Sequence, residues 1–230
     1  MLSSNYIIIP YSIYGVYLVD VRTLKLHEEC IKEHLEELKE EILGDGVLKK
    51  PIIVDKNTMI VLDGTHRVTI AREVRFKVIP ALLIDYTEAE IYSWARIFTG
   101  KNAKKYVIEF LQKMFKESQS VQDKNIVVFL NGKEYLKIKS SRSILEIYRA
   151  LYSLEREMLS KGFSVKIVPD YAIERYWHSS LVIVPPRIRR EDVIRVVSKG
   201  MCFPPKSTRH VLKRKIPDVN IPLHVLTKGF

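Results

Sequence analysis

The stretch "VLDGTHRVTIAREV", Val61 to Val74, decides the fold. It runs from an apolar segment through five polar or small residues, Asp63–Arg67, into an apolar pattern at helical spacing. We call Asp63–Arg67 the knot. A strand that ends in Asp-Gly and leads into a helix directs backbone N–H groups and the positive end of the helix dipole toward one place. The knot therefore predicts a phosphate site, and the alternative is an ordinary turn with solvated side chains.

The sequence around the knot predicts alternating strands and helices. Residues 29–43 place apolar side chains on one helical face, and Gly44 follows as a candidate C-cap. Strands are predicted at Ile52–Val54, Met59–Leu62 and Val78–Ile84, with a short helix at Val68–Glu73. Residues 88–98, "EAEIYSWARIF", fit a further amphipathic helix that carries Trp94, and a charged helix covers about 102–117.

The second half continues this alternation. Asn131-Gly132 between two apolar runs predicts a β-hairpin. A helix is predicted over about 142–160, then two strands, "FSVKIV" and "SLVIVPP", then the helix "REDVIRVVSKG" and a Pro-rich irregular tail. This order predicts a mixed α/β (α+β) fold. The polar stretch "KESQSVQDKN" is the best candidate boundary, which gives domains over 1–120 and 121–230.

The composition restricts the class of protein. No apolar run reaches the roughly 18 residues that span a membrane, so we expect a cytoplasmic protein with the segment "NYIIIPYSIYGVYLV" in buried strands. The net charge of +11 favours an anionic partner, although abundant Lys, Glu and Ile are also typical of heat-adapted proteins. The two cysteines, Cys30 and Cys202, match no metal-ligand spacing.

Four segments resemble the archaeal free L-serine kinases of the ParB/sulfiredoxin superfamily. In chain order they are "LHEECIKEHLEEL", "GDGVLKKPIIV", "VLDGTHR" and "PPKSTRHVL". Two positions depart from the family pattern: Leu26 replaces a proline, and Thr65 replaces the first histidine of the box. The resemblance implies a ParB/sulfiredoxin-like domain at 1–120 that binds nucleotide and serine. It also implies a small α/β domain at 121–230 whose tail, 204–212, returns to the active site.

The resemblance implies a kinase that transfers a phosphoryl group from ATP or ADP to free L-serine. The product, O-phospho-L-serine, would feed cysteine biosynthesis, and Mg²⁺ would assist the transfer. Glu28 would be the catalytic base and Asp63 a second catalytic group, with His27 and Trp94 at the serine pocket. Without the resemblance, the sequence favours a first-turn glutamate stabilised by a helix dipole for Glu28, and a core aromatic for Trp94.

A larger set of residues would bind the nucleotide phosphates: Gly46, Lys50, Gly64, Thr65, His66, Arg67, Ser207, Thr208, Arg209 and His210. Alternatives remain for some of them. The segment Gly44–Gly46 equally fits a helix C-cap followed by a turn, and a lysine such as Lys50 is commonly solvated. The tail also fits a basic arm for nonspecific nucleic-acid binding. No sequence pattern identifies metal ligands.

Two other functions compete with the kinase. Sulfiredoxin is excluded because its box carries a cysteine where this chain has Thr65. A ParB-like nucleotide-dependent DNA-binding protein would need a helix-turn-helix, which residues 85–118 match poorly, so we expect no nucleic-acid partner. A relative that phosphorylates another small hydroxyl compound would show the same phosphate-binding residues.

Overall fold

The computed structural model describes residues 15–115, 124–176 and 180–228. Their strands, in chain order, are β1 Val16–Asp20, β2 Lys25–Leu26, β3 Val47–Leu48, β4 Ile52–Asp55, β5 Ile60–Asp63, β6 Val78–Ile84, β7 Ala89–Thr99, β8 Lys124–Leu130, β9 Lys133–Ser140, β10 Ser164–Pro169, β11 Leu181–Val184, β12 Thr208–Leu212 and β13 Ile221–Pro222. The α-helices are α1 Lys32–Asp45, α2 Thr65–Glu73, α3 Ala103–Met114, α4 Ile144–Ser160, α5 Arg190–Ser198 and α6 Leu223–Lys228.

Among the described residues, unit 1 comprises 15–90, 193–202 and 210–228. Its main sheet has the strand order β1-β6-β4-β5-β2, in which β4 is antiparallel to β5 and parallel to β6. Helices α1, α2 and α6 contribute buried side chains to one apolar core with these strands, including Ile42, Val68, Ile70 and Leu226. Strand β5 therefore leads directly from the core into the knot, and α2 returns to the core.

Unit 2 comprises the described residues of 91–115, 124–176, 180–192 and 203–209. Its sheet has the order β10-β7-β11-β8-β9, and β12 also pairs with β7. Helices α3 and α4 pack on this sheet through apolar residues such as Val107, Leu111 and Leu151. Asn131 and Gly132 turn the chain between β8 and β9 with positive φ angles of 52° and 79°. This geometry is the one an Asn-Gly hairpin requires, so the predicted hairpin is confirmed.

These units do not follow the boundary proposed near residue 120. Residues 91–115 belong to unit 2 because β7 is an inner strand of its sheet and α3 supplies part of its core. Residues 210–228 belong to unit 1 because Ile221 and Leu226 are buried there. Local polarity along the sequence cannot show that the chain enters unit 2 and later returns to unit 1.

The helix predicted at 88–98 is wrong, since Ala89–Thr99 is the strand β7. Its residues from Ser93 to Phe98 are all buried or half-buried, because the strand lies inside a sheet with both faces covered. A strand buried on both faces loses the alternation of polar and apolar residues that identifies strands. The apolar residues at Ile91, Trp94 and Phe98 then imitate helical spacing.

Two smaller predictions also need correction. Helix α1 continues through Gly44 and ends at Asp45, and its C-cap is Gly46, which has a left-handed conformation with φ 68°. The tail is not wholly irregular, since Thr208–Leu212 is a strand and Leu223–Lys228 a short helix. The predicted strands at the N-terminus lie outside the described residues up to residue 14, and Val16–Asp20 is a strand.

Among the described residues, no helix is both long enough and apolar enough to cross a membrane.

Candidate active site

The knot forms the turn between β5 and α2, as the sequence predicts. Gly64 adopts φ 101° and precedes the first residue of α2, Thr65, without any side-chain cap on that helix. A Cβ atom at Gly64 would lie 2.6 Å from Ile52 Cγ2 and 3.0 Å from an Arg67 nitrogen. Glycine is therefore required here both by the backbone conformation and by the close approach of neighbours. The first turn of α2 keeps the N–H groups that could receive an anion.

Arg67 joins the knot to the preceding loop. Its guanidinium donates to Asp63 Oδ2 at 2.7 Å and to the carbonyl oxygens of Lys50, at 3.0 Å, and Pro51. These hydrogen bonds fix the course of the loop beside the knot and neutralise part of the Asp63 charge. The Lys50 side chain is exposed. Contact between either basic side chain and a phosphate stays a prediction.

His66 has a role that sequence reasoning missed. The Ile31 backbone N–H, at the start of α1, donates to His66 Nε2 at 3.1 Å. Since Nε2 accepts this bond, a proton on a neutral ring is on Nδ1, and only that nitrogen can donate elsewhere. His66 thus satisfies a backbone N–H that α1 leaves without a partner in its own helix. A direct phosphate contact through Nε2 does not fit this arrangement.

The segment Leu26–Ile31, which carries the candidate base Glu28, is attached to the knot and its strand. The His27 ring is buried, and its Nδ1 lies 2.6 Å from the Val61 carbonyl oxygen, which fixes that nitrogen as the donor. His27 Nε2 lies 3.7 Å from Glu28 Oε2. The Glu28 side chain is 14% exposed, so it is held near the surface rather than extended into solvent. The predicted neighbours His27 and Glu28 therefore lie together beside the knot.

His210 comes to the same region of unit 1 from the far end of the sequence. Its ring lies 5.1 Å from the ring of His27 in an edge-to-face contact. His210 Nε2 lies 2.8 Å from the Tyr86 hydroxyl, and the ring also hydrogen-bonds the Leu62 backbone. Both ring nitrogens are thus used inside unit 1. His210 acts as a half-buried contact of His27, and a direct phosphate contact is not supported by this geometry.

Burial governs the protonation of these two histidines. It lowers the pKa of His27, although the nearby Glu28 and Asp63 charges partly oppose this effect. Burial lowers the pKa of His210 well below its usual value, and the neighbouring His27 lowers it further. Both rings are therefore neutral at neutral pH, and the His27 Nε2 lone pair faces Glu28.

This protonation pattern predicts acid sensitivity. Below the unfolded-state pKa of about 6.5, the two histidines of the unfolded chain become protonated, while the same rings stay neutral in the folded protein. The free energy of unfolding therefore falls as pH drops. Each histidine contributes up to about 1.4 kcal/mol per pH unit in that window. Denaturant unfolding between pH 5 and pH 8 measures the slope. His210→Asn should flatten it, whereas His224→Asn at an exposed position of α6 should not. Equal slopes in all three proteins would contradict the assignment.

Gly46 forms a helix C-cap, which was the alternative to a phosphate contact in the sequence analysis. Its N–H donates to the Ile42 carbonyl at 3.2 Å, and its own carbonyl accepts from the Leu223 N–H at 3.1 Å. Both backbone groups are used within unit 1, so Gly46 is a helix cap. Its N–H group is therefore not available for the predicted contact with phosphate.

The remaining predicted residues come together in unit 2. The Trp94 indole N–H donates to the Thr208 carbonyl at 2.8 Å, and the buried Ser207 hydroxyl donates to the Pro204 carbonyl at 2.7 Å. Arg209 places its guanidinium carbon 5.3 Å from the centre of the Trp94 ring. Trp94 and Ser207 therefore hold the tail backbone, and their polar groups are not directed to a ligand. Arg209 presents its charge on an aromatic support.

The predicted binding of Mg²⁺ depends on which side chains could donate oxygen ligands to the ion. Among the described residues, no group of three or more His, Cys, Asp or Glu side chains could hold a metal ion. Mg²⁺ that arrives with a nucleotide needs only one or two carboxylates, because phosphate oxygens and waters supply the other ligands. Glu28 and Asp63 fit this requirement, so the residues are compatible with a nucleotide-bound ion and not with a dedicated metal cage.

Comparison with known proteins gives relatives of nearly full length. No family model matches the chain. A ParB-like protein of Sulfolobus acidocaldarius is 29% identical over 210 residues, which cover 90% of this chain and 96% of that protein. An ATP-dependent L-serine kinase of Staphylothermus marinus is 26% identical, with coverage of 95% and 94%. An ADP-dependent L-serine kinase of Thermococcus kodakarensis is 22% identical, with coverage of 90% and 91%. The chain resembles L-serine kinases over most of its length.

Solved structures show the same fold. A free serine kinase in complex with AMP aligns with a TM-score of 0.74 at 19% identity, over 93% of this chain and 94% of that one. SbnI from Staphylococcus aureus, with a C-terminal truncation, aligns with a TM-score of 0.77 at 18% identity, over 94% and 90%. At such identities the likeness concerns the fold alone, and the mixed α/β architecture expected from the sequence is confirmed.

Proposed function

We propose that this protein is a kinase that transfers the terminal phosphoryl group of ATP or ADP to the hydroxyl of free L-serine. The observation that carries the proposal is the attachment of the Glu28 segment to the knot. His27 binds the Val61 carbonyl on one side of Glu28, and the Ile31 N–H binds His66 on the other. A carboxylate is thus fixed beside a helix N-terminus without a side-chain cap. The L-serine kinase relatives support this function.

The chemistry assigned to these residues is simple. Glu28 accepts the proton of the serine hydroxyl while the serine oxygen forms a bond to the terminal phosphorus and the bond to the leaving nucleotide oxygen breaks. The N–H groups at the start of α2 receive phosphate oxygens, and the Lys50 ammonium adds positive charge. Asp63, held by Arg67, orients its free oxygen toward the substrates. A nucleotide-bound Mg²⁺ would neutralise the phosphates, with Glu28 or Asp63 as its protein ligand.

Neutral His27 supports the base. Its Nε2 lone pair faces Glu28, so the ring can accept a hydrogen bond from the Glu28 carboxyl group once that group has taken up the serine proton. Trp94 and Arg209 stay proposed contacts of serine and phosphate. The product O-phospho-L-serine would then be available for cysteine biosynthesis.

A second function has one specific observation in its favour, the ParB-like name of the relative from Sulfolobus acidocaldarius. The fold does not support it in the region that would carry DNA recognition. Residues 85–115 form a 3-10 turn, the strand β7 and the helix α3, rather than two helices joined by a short turn. A helix-turn-helix requires such a pair.

The test is an assay of the purified protein at high temperature with L-serine, Mg²⁺ and either ATP or ADP. Direct detection of phosphoserine with one donor supports the kinase and identifies that donor. Parallel reactions with L-threonine and with glycerol test whether another hydroxyl compound is the acceptor. DNA binding that weakens steeply with salt, without phosphoserine from either donor, would instead favour the ParB-like function.

A further inference from the structure

Arg96 is a fully buried arginine in the middle of β7, and no site prediction included it. Its side chain has no exposed surface. The guanidinium donates to the Trp94 carbonyl at 2.6 Å and to the Lys206 carbonyl at 3.2 Å. Its Nε lies 3.7 Å from Glu155 Oε2 on α4. A charge is expensive to bury, so its position calls for a reason beyond packing.

The Lys206 carbonyl belongs to the turn that precedes Arg209. Lys206 has a positive φ of 56°, an uncommon conformation for a residue with a side chain. The hydrogen bonds that hold this turn include one from Arg96 to Lys206, one from Trp94 to Thr208, and one from Ser207 to Pro204. Two of these bonds depend on Arg96, since it also binds the backbone of Trp94. Arg96 thus connects the backbone of β7, at the Trp94 carbonyl, to the turn, at the Lys206 carbonyl.

Arg209 follows immediately after the turn, so its direction depends on the backbone that Arg96 holds. Its guanidinium carbon lies 5.3 Å from the centre of the Trp94 ring and 5.9 Å from that of Tyr171. Trp94 is itself fixed by its carbonyl to Arg96 and by its indole to Thr208. A change at Arg96 therefore affects both the aromatic support and the chain that carries Arg209.

A purely stabilising role for Arg96 is a weaker explanation. Replacement of a buried ion pair by apolar residues of similar volume is commonly neutral or stabilising. Burial raises the pKa of Glu155, while Arg96 opposes this effect, so the pair offsets desolvation only in part. The two backbone carbonyls are specific contacts that an apolar residue cannot replace. These two hydrogen bonds favour a role of Arg96 in placing the turn over a general role in stabilising the core.

We propose that Arg96 is a positioning residue for the phosphoryl transfer: it sets the Lys206–Thr208 turn and Trp94, and thereby directs Arg209 toward an anionic group of the substrates. This inference rests on the proposed function. Arg96 does not touch a substrate, and it acts through Trp94 and the turn.

The kinetic test compares Arg96→Met and Arg96→Lys with the native enzyme. We expect kcat/KM to fall about 10- to 100-fold in Arg96→Met when it is assayed well below the unfolding midpoint, which itself should fall because Glu155 loses its buried partner. Arg96→Lys keeps the charge near Glu155 but lacks the planar fork that reaches two carbonyls, so it should stay impaired. Full activity in the lysine variant would overturn the proposal, because charge alone would then suffice. Glu157→Gln, at an exposed position of α4, is the matched control and should keep native kinetics.

A double-mutant cycle separates positioning from support of the fold. If Arg96 acts by directing Arg209, the double variant Arg96→Met/Arg209→Ala should be no slower than Arg209→Ala alone, within about twofold. Multiplied defects would mean that the two residues act independently, which contradicts the proposal. Should Arg96→Met fail to fold, Glu155→Gln is used in the same cycle with a smaller expected loss of about threefold and the same non-additivity.

A fluorescence measurement keeps the inference testable even if serine is not the acceptor. With Trp177 replaced by phenylalanine, Trp94 is the single tryptophan of the chain. We expect Arg96→Met to shift the emission maximum of Trp94 and to increase its quenching by acrylamide, whereas Glu157→Gln should change neither. Unchanged emission overturns the positioning role whatever the reaction is. A changed emission in a protein that makes no phosphoserine would contradict the proposed function and leave the placement of Trp94 by Arg96 supported.

Discussion

Replacement of Glu28 by glutamine is expected to lower the rate of phosphoserine formation by about 100- to 10,000-fold, the range in which a positioned general base contributes. Glutamine keeps the size of the side chain but cannot accept the serine proton. The nucleotide Kd should change by less than about threefold, because the α2 amides that we propose to receive phosphate are not altered. Single-turnover assays of phosphoserine and calorimetric titration of nucleotide measure the two quantities separately.

Glu29 provides a matched control for this change. It is the next residue along the same segment, has the same side chain, and is exposed. Glu29→Gln removes an equal charge from the adjacent residue, so a general electrostatic effect would appear in both variants. A rate in Glu28→Gln within threefold of the Glu29→Gln rate would remove Glu28 as the base and leave the proton acceptor to be sought at Asp63.

Replacement of Gly64 by alanine is expected to have the largest effect on stability. The added Cβ would meet Ile52 Cγ2 at 2.6 Å, and the left-handed backbone would be strained as well. We expect the free energy of unfolding to fall by about 2 to 4 kcal/mol, within the range for strain and overpacking in a buried setting. Nucleotide affinity should fall with it, because a shifted turn misdirects the N–H groups of α2. Denaturant unfolding and nucleotide titration measure both effects.

Gly44 is the control for glycine replacement as such. It lies inside α1, has no positive φ, and an added Cβ would meet nothing within 4 Å. Gly44→Ala should therefore stabilise the protein by about 0.5 to 1 kcal/mol, the difference between glycine and alanine in a helix interior. Destabilisation by both variants to a similar degree would mean that the close contact at Gly64 is relieved by movement of its neighbours.

The sequence predicts most of unit 1 because local signals and packing agree there. The strands on either side of residues 56–58, the strand β6 and the knot turn lie where the apolar pattern puts them. The sequence failed at β7 because a strand buried on both faces shows no alternation. A local sign of this departure is Arg96, a charge between Ala95 and Ile97 in an apolar run.

The candidate site was predicted less completely than the fold. The sequence identifies residues with suitable chemistry, but it cannot tell whether a donor is available or already paired. His66 binds the start of α1, Gly46 caps its end, and Trp94 binds the tail backbone. Tyr86, which meets His210 at 2.8 Å, lies 124 positions away in the chain and carried no local signal. Hydrogen-bond partners such as these are brought together by the tertiary fold, so a single sequence does not identify them.

The discontinuity of unit 1 has a consequence for biosynthesis. During translation, residues 15–90 leave the ribosome long before Ile221 and Leu226, which fill the core of that unit. His210, whose ring contacts His27, also emerges late. Unit 2 is nearly continuous in the chain, so it can complete its core earlier. We expect the nascent protein to acquire the ability to bind nucleotide only after residues 210–228 have been made, as the last step of its maturation.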